Sequence, residues 1–250
     1  ASLGGRTSRL VDWKARNEET LAEAVREVFG LSRSELSDDE AIARALDPAR
    51  NSYLGSALNL GVHSKLMRTL VHAGYTFRKK LSHAADSQDQ RHRTVPASRP
   101  SLLCLLGDEP DVVEPELVRR DEAVRREYRR AMEAAWEAMR KLKRLGVPDE
   151  FRAYLLPNAT AIRFTESADL LNLHHKMAMR LCYNAQEEIW RASVDETQEV
   201  ARVNPRIGRH LLPPCTLRLQ ARERPICPEG SRYCGVPVWR LSLEEYERVI

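Results

Sequence analysis

The sequence predicts an α/β protein, and three observations carry that prediction. Apolar residues recur at helical spacing over several long runs, most clearly over 116–145. Short apolar stretches at 151–156 and 160–165 fit strands and are too brief for ordinary helices. The chain also changes character after Pro205, becoming rich in Pro, Cys, Gly and Arg with no long period. These features divide it into a main domain, 1–204, and a small Cys- and Pro-rich C-terminal extension, 205–250.

Taken in order, residues 10–30 read as one helix, with Leu10, Val11, Trp13, Leu21, Ala24, Val25 and Val28 near helical spacing and Gly30 as its stop. Ser37-Asp38-Asp39-Glu40 resembles a helix start, with a capping hydroxyl and acids near the positive end. Residues 51–61 are rich in Asn, Ser and Gly and read as a loop. The run 62–85 is mostly helix-like, with a strand at 75–77 as the alternative. Residues 94–115 form a loop region holding a short buried strand or turn at 102–106. In the helix 116–145, Val124, Tyr128, Ala131, Ala135, Met139 and Leu142 step by three and four. Its basic end, Arg140 to Arg144, is a solvated helix terminus, and Gly146 and Pro148 stop it. After the two strand candidates come helices over 170–181 and 185–200, then the tail, which ends in a short helix over 241–250.

Composition narrows the function classes. The 250 residues carry 40 Lys and Arg against 36 Asp and Glu, a net charge of +4. That bias suits anionic small molecules and does not demand nucleic acid. No stretch is long and apolar enough to span a membrane, and the first residues hold no signal-peptide core. Five cysteines, an odd number, do not read as a disulfide scaffold, so a reducing, cytoplasmic location is expected.

The sharpest local clue is Gln88-Asp89-Gln90-Arg91-His92-Arg93. Gln88 and Arg91 share a face if the segment is helical. Arg91 and Arg93 can reach one ligand if the helix ends there, and Pro96 favours such an end. Arginines at a helix terminus followed by Ser98 and Ser101 can hold a phosphate by charge-assisted bonds. A glutamine beside them can read the amide edge of a pyrimidine. An exposed charged turn accounts for the same residues. A nucleic-acid surface including Arg78, Lys79 and Lys80 is a third reading, against which the poor aromatic interleaving weighs.

Gln88-x-x-Arg91-His92-Arg93 resembles the signature of the flavin-dependent thymidylate synthases, and further matches follow in order. Tyr75-Thr76-Phe77 resembles the family's F-T-F strand, preceded by His72. Leu156-Pro157-Asn158 resembles its L-P strand end. Arg180 and Asn184-Ala185-Gln186-Glu187-Glu188-Ile189 resemble its R-x4-A-Q-x-E-I pattern. The resemblance covers about 61–200. It implies a thymidylate synthase-complementing protein-like fold, a central mixed or antiparallel sheet flanked by helices, assembled as a homo-tetramer. It implies methylation of dUMP to dTMP, with methylenetetrahydrofolate as carbon donor, FAD as hydride carrier and NADPH as its reductant. No cysteine nucleophile is implied. By the same resemblance Gln88, Arg91 and Ser101 would bind the nucleotide. Arg91, His92, Arg93 and His175 would hold the flavin, and Arg180 would polarise the uracil.

This sequence departs from the family pattern at several points. Pro96, Ser98-Arg99 and Leu103 stand where the family has a serine, an N-E pair and an arginine. Val71 replaces the acid before His72. The flavin-binding H-x-S/T motif is missing at its usual distance, His63-Ser64 lying too early. Ala153 replaces an arginine, with Arg152 adjacent, and Asp169 replaces an asparagine. The chain therefore also resembles the divergent copy in tandem versions of the family. A noncatalytic scaffold or nucleotide-binding subunit, and a basic nucleic-acid-binding protein, stand as alternatives.

In the tail, His210, Cys215, Cys227 and Cys234 supply the ligand count of a structural zinc site among turn-forming prolines and glycines. The Cys227-x6-Cys234 spacing is wider than a usual knuckle, and ordinary thiols are the alternative. Cys104 and Cys182 read as small core residues. Trp136 and Trp190 read as packing anchors.

Overall fold

The computed structural model describes residues 3–56 and 61–248. The chain runs β1 (Ser8–Trp13), α1 (Asn17–Phe29), α2 (Asp38–Leu46), α3 (Lys65–Arg68), β2 (Gly74–Ser82), α4 (His83–Asp89), β3 (Ala97–Ser98), α5 (Glu116–Arg120), α6 (Glu122–Arg144), α7 (Asp149–Arg152), β4 (Ala161–Asp169), α8 (Leu170–Arg180), α9 (Glu187–Val203), α10 (Pro205–Gly208) and α11 (Pro214–Gln220). The strands form one sheet in the order β1-β2-β4-β3, every neighbouring pair antiparallel. The α/β class therefore stands, and the sheet is antiparallel.

The two long strands position everything else. In β2, Tyr75, Phe77, Lys79 and Leu81 alternate inward. In β4, Ile162, Phe164, Glu166 and Ala168 do the same. Phe77 pairs with Glu166 and Lys79 with Phe164, so Lys79 and Glu166 are diagonal neighbours on the buried face. The main core lies between this face and the helices, with Leu21, Ile42, Leu70, Leu173 and Met177 fully buried. At the α9–α10 turn the chain approaches itself so closely that a Cβ on Gly208 would stand 2.3 Å from the Ala201 Cα.

Several elements differ from the sequence expectation. The single helix over 10–30 is a strand followed by a helix. Leu10 pairs with Phe77 and fills the core beside it, a long-range partner that helical spacing cannot reveal. Gly30 does stop α1, at φ 64°, and Ser37 caps α2 by accepting the Glu40 N–H. All of 74–82 is strand, because β1 and β4 pair with it on its two sides. The helix over 116–145 breaks at Asp121, whose carboxylate accepts the Ala123 and Val124 N–H groups and starts α6 afresh. Leu102–Leu105 is a 3-10 turn capped by Ser101, with Leu102 and Leu103 exposed. Cys104 is likewise exposed and no core residue. The expected strand at 151–156 is helical turns. Pro148-Asp149-Glu150 is a helix start, and Arg152 turns back to pair with Asp149. The helices expected over 170–181 and 185–200 are present as α8 and α9. At the C-terminus only a 3-10 turn, Leu243–Glu245, is seen, and residues 249 and 250 of the expected short helix lie outside the described residues. Trp136 and Trp190 are buried packing residues. Among the described residues no helix is long and apolar enough to cross a membrane.

Candidate active site

The site rests on a buried set of charges. Lys79 from β2 and Lys176 from α8 are each at most 1 % exposed. Around them stand Asp89 at the end of α4, Glu166 of β4 and Glu196 of α9. The Lys79 ammonium lies 3.1 Å from Asp89, 3.4 Å from Glu166 and 2.9 Å from Glu196. Lys176 lies 3.1 Å from Asp89 and pairs closely with Glu166. Arg99 closes the set from outside, 2.6 Å from Asp86 and 3.0 Å from Asp89, its guanidinium over the Phe164 ring. Burial opposes the Asp89 carboxylate, but Lys79 and Lys176 overcome it and hold its pKa below the ordinary value. Burial dominates at Glu166, whose pKa is raised despite the same two lysines. Burial also opposes the charge on Lys79, yet Glu166, Glu196 and Asp89 keep its pKa well above normal.

This lock fixes two neighbours. Gln88 precedes Asp89, and Arg180 follows Lys176 by one turn of α8. α8 starts where Asp169 accepts the Asn172 N–H, so the departure at Asp169 serves as a helix cap. The Arg180 guanidinium donates to the Gln88 carbonyl at 3.1 Å. Arg180 forms no ion pair among the described residues. Its Nε and the Gln88 side-chain oxygen are buried without partners, as are Nε2 of His92 and of His174. Buried polar atoms left open in this way can take a bound water or a ligand as partner.

Gln88, His174, His175 and Arg180 line a cavity of about 370 Å³, the size of a small-molecule site. Arg218 also lines it, donating to the carbonyls of Gly55 and Pro225. Two guanidiniums in a partly apolar wall suit a planar anion. His92 stands edge-on to His175, ring centres 5.9 Å apart. Burial, helped by Arg180 and Lys176, pushes the His92 pKa down to about 3. Burial and Arg180 lower His175. These rings are neutral donors and acceptors at physiological pH.

The remaining sequence candidates do not line this cavity. Arg91 and Arg93 are exposed beyond the end of α4. Ser101 is exposed too, and its hydroxyl caps the following turn. Arg152, next to Ala153, is buried and engaged by Asp149. His210 accepts from Arg209 and lies beside His174, apart from the cysteines with which it was grouped. Among the described residues no three His, Cys, Asp or Glu side chains stand close enough, as placed, to hold a metal ion. The buried charges were missed by the sequence reading. Lys79 and Glu166 stand out only once β2 and β4 are known as strands that turn these positions inward.

Three histidines are expected to make the fold acid-sensitive. Burial and neighbouring histidines push His174 down to about 4, burial and Arg209 push His210 down to about 4, and His92 lies near 3, all from an ordinary 6.5. A folded-state pKa below the unfolded one means the unfolded chain takes protons that the native chain refuses. Stability is therefore expected to fall as pH drops from 6.5 towards 4. The buried His174 contributes on the order of 3 kcal/mol, and solvent screening holds the partly exposed His92 and His210 below what their shifts alone would give. Urea midpoints at pH 7 and 4.5 measure this, and equal midpoints refute it. A His174→Asn chain should show a shallower fall.

Residues 9–206 match the family model described as Thymidylate synthase complementing protein. The flavin-dependent thymidylate synthase of Geobacter sulfurreducens is 33 % identical, over 74 % of this chain and 76 % of its own. That of Sulfolobus acidocaldarius is 27 % identical, over 92 % and 91 %. Among solved structures, the UMP/dUMP methylase PolB from Streptomyces cacaoi, bound with 5-Br UMP, superposes with a TM-score of 0.61 at 18 % identity, covering 88 % of this chain and 96 % of its own. An antiparallel sheet under helices is the α/β fold that this chain shares with that solved structure. The chain belongs to the thymidylate synthase complementing protein family, as a divergent member.

Proposed function

We propose that this chain is a flavin-dependent thymidylate synthase that methylates dUMP to dTMP, drawing carbon from methylenetetrahydrofolate and reducing power from NADPH. One observation carries the reading. Arg180 is half-buried, free of any ion pair among the described residues, and held on the Gln88 carbonyl at the wall of a nucleotide-sized cavity. The names of the Geobacter and Sulfolobus relatives support it.

The Gln88 amide offers both a donor and an acceptor to the imide edge of uracil. Arg180, aimed at a ring carbonyl, would stabilise negative charge arising there, an effect strengthened by partial exclusion of water. The unpartnered ring nitrogens of His92 and His174 fit a polar aromatic ligand, and His92, His175, Arg91 and Arg93 would hold FAD. Bound FAD would supply hydride transfer. Neutral His92 and His175 can accept or donate hydrogen bonds there without adding charge. Leu145, Phe151 and Tyr154 are 69 %, 59 % and 87 % exposed, apolar surface that supports a homo-tetramer, checked by sedimentation.

A second reading keeps nucleotide binding without turnover. It is favoured by Arg99, whose charge is spent on Asp86 and Asp89, and by Leu103, which offers no charge where the family carries an arginine. Titration decides between them. The chain mixed with FAD is expected to show a bound-flavin spectrum, and dUMP at a hundredfold excess over its Kd should stabilise the fold by about 2.7 kcal/mol. Absence of both discards each reading. Binding without dTMP formation selects the second.

A further inference from the structure

Four of the five cysteines meet at one place. Cys182 lies between α8 and α9, Cys215 in the first turn of α11, and Cys227 and Cys234 in the segment that follows. All four line one small cavity of about 10 Å³, walled also by Tyr183, Pro214 and Tyr233. That is room for one water-sized species and for no organic ligand. Cys215 is buried, and the other three are partly so. Cys104 stands apart and exposed.

The surrounding chain gives these thiols a task. From Ala221 to Arg248 the backbone forms three 3-10 turns and, among the described residues, no α-helix or strand. Gly230 and Gly235 reverse it at φ 57° and 82°, the second directly after Cys234. Its apolar support is a small cluster around Tyr183, Trp190, Cys215, Val238 and Tyr246. A segment with so little ladder hydrogen bonding and so small a core gains stability chiefly from a cross-link. All four thiols line the same small cavity, which suits one ion better than two separate pairings.

We propose that Cys182, Cys215, Cys227 and Cys234 together hold one structural zinc ion. Four thiolates are a closed tetrahedral set for zinc. Each thiol gives up its proton to solvent on binding, leaving a centre of net charge −2. Arg248 lies within electrostatic reach of Cys182 and Cys234 to offset it. The thiols share a wall without standing at coordination distance, so closing on the ion takes side-chain rotation. His210 has no part in this set. The ion would brace the active site, because Cys182 is two residues from Arg180 and Pro228 and Glu229 line the cavity beside Arg180. The Asn184 amide also donates to the Arg232 carbonyl at 2.5 Å, joining the same two segments.

The inference stands apart from the proposed activity, since metal content is read without flavin or nucleotide. The full chain, dialysed against buffer freed of metal, is expected to retain one zinc per chain by elemental analysis. Only Cys104 should react readily with a thiol reagent, and the zinc should be released as the other four are modified. Cys182→Ser should lose the zinc, and His210→Ala should keep it. If Cys182→Ser does not fold, cobalt exchanged into the unaltered chain decides: a tetrahedral thiolate spectrum supports the site, and one of oxygen or nitrogen ligation overturns it. Four freely reactive thiols without metal, zinc retained in Cys182→Ser, or iron with acid-labile sulfide would each overturn it as well.

Discussion

Arg180→Ala is expected to lower dTMP formation by about 10²–10³-fold while leaving the fold intact. The size follows from removing a preorganised cation from a partly dry wall, the loss typical of one donor that stabilises developing charge. The fold should survive because Arg180 makes one hydrogen bond, to the Gln88 carbonyl, and no ion pair among the described residues. Its own burial lowers its pKa, so the native state gains little from holding it there. Stability from urea unfolding should therefore change by less than about 1 kcal/mol. A group acting on charge formed during reaction should lower kcat more than it raises KM. Arg180→Lys should recover part of the rate, because a point charge remains but the planar fork does not. Turnover at the normal rate in Arg180→Ala would remove the arginine from the mechanism.

Lys176→Met should cost about 3–5 kcal/mol of stability, the usual penalty for breaking a buried ion pair on one side. Lys176 is fully buried between Asp89 and Glu166, with Glu196 4.0 Å away. Without it Lys79 and Arg99 alone face four carboxylates: Asp86, Asp89, Glu166 and Glu196. Methionine fills the space but neutralises nothing. Adding Glu166→Gln to Lys176→Met should return part of the loss, because it removes one of the stranded charges. A loss below about 1 kcal/mol in urea would mean that the set is not the support described here. Flavin and dUMP binding should weaken with it, because Asp89 holds Gln88 in place and Lys176 sits on the helix that carries Arg180.

Much of this was legible before folding. The helices α8 and α9, the cap at Ser37 and the stop at Gly30 follow from local spacing and local hydrogen bonds. The order of Tyr75-Thr76-Phe77, Gln88 to Arg93, Arg180 and Gln186 was enough to suggest the family that the comparison then showed. Leu10 and Phe151 were misread because a helical period and a short strand share the same few apolar positions. What settled Leu10 was its partner Phe77, 67 residues away. Asp121 carries a local cap signal that the long apolar period around it outweighs, and Pro148, a stop for the helix before it, also starts α7.

The sequence by itself determined the local vocabulary: which segments coil, where they are capped, and that a glutamine–arginine signature lies ahead of a later arginine. It determined these because each depends on neighbours within a few residues. Only the tertiary structure decided which signature residues share a wall. It brought Gln88 and Arg180 together across 92 residues and left Arg91, Arg93 and Ser101 in solvent. It also put Cys182 in place of His210 beside the tail cysteines. The physical reason is that burial and charge pairing are properties of distance in space. Two inward-facing charges on paired strands, Lys79 and Glu166, are unremarkable in the chain and become the site's foundation once β2 and β4 align.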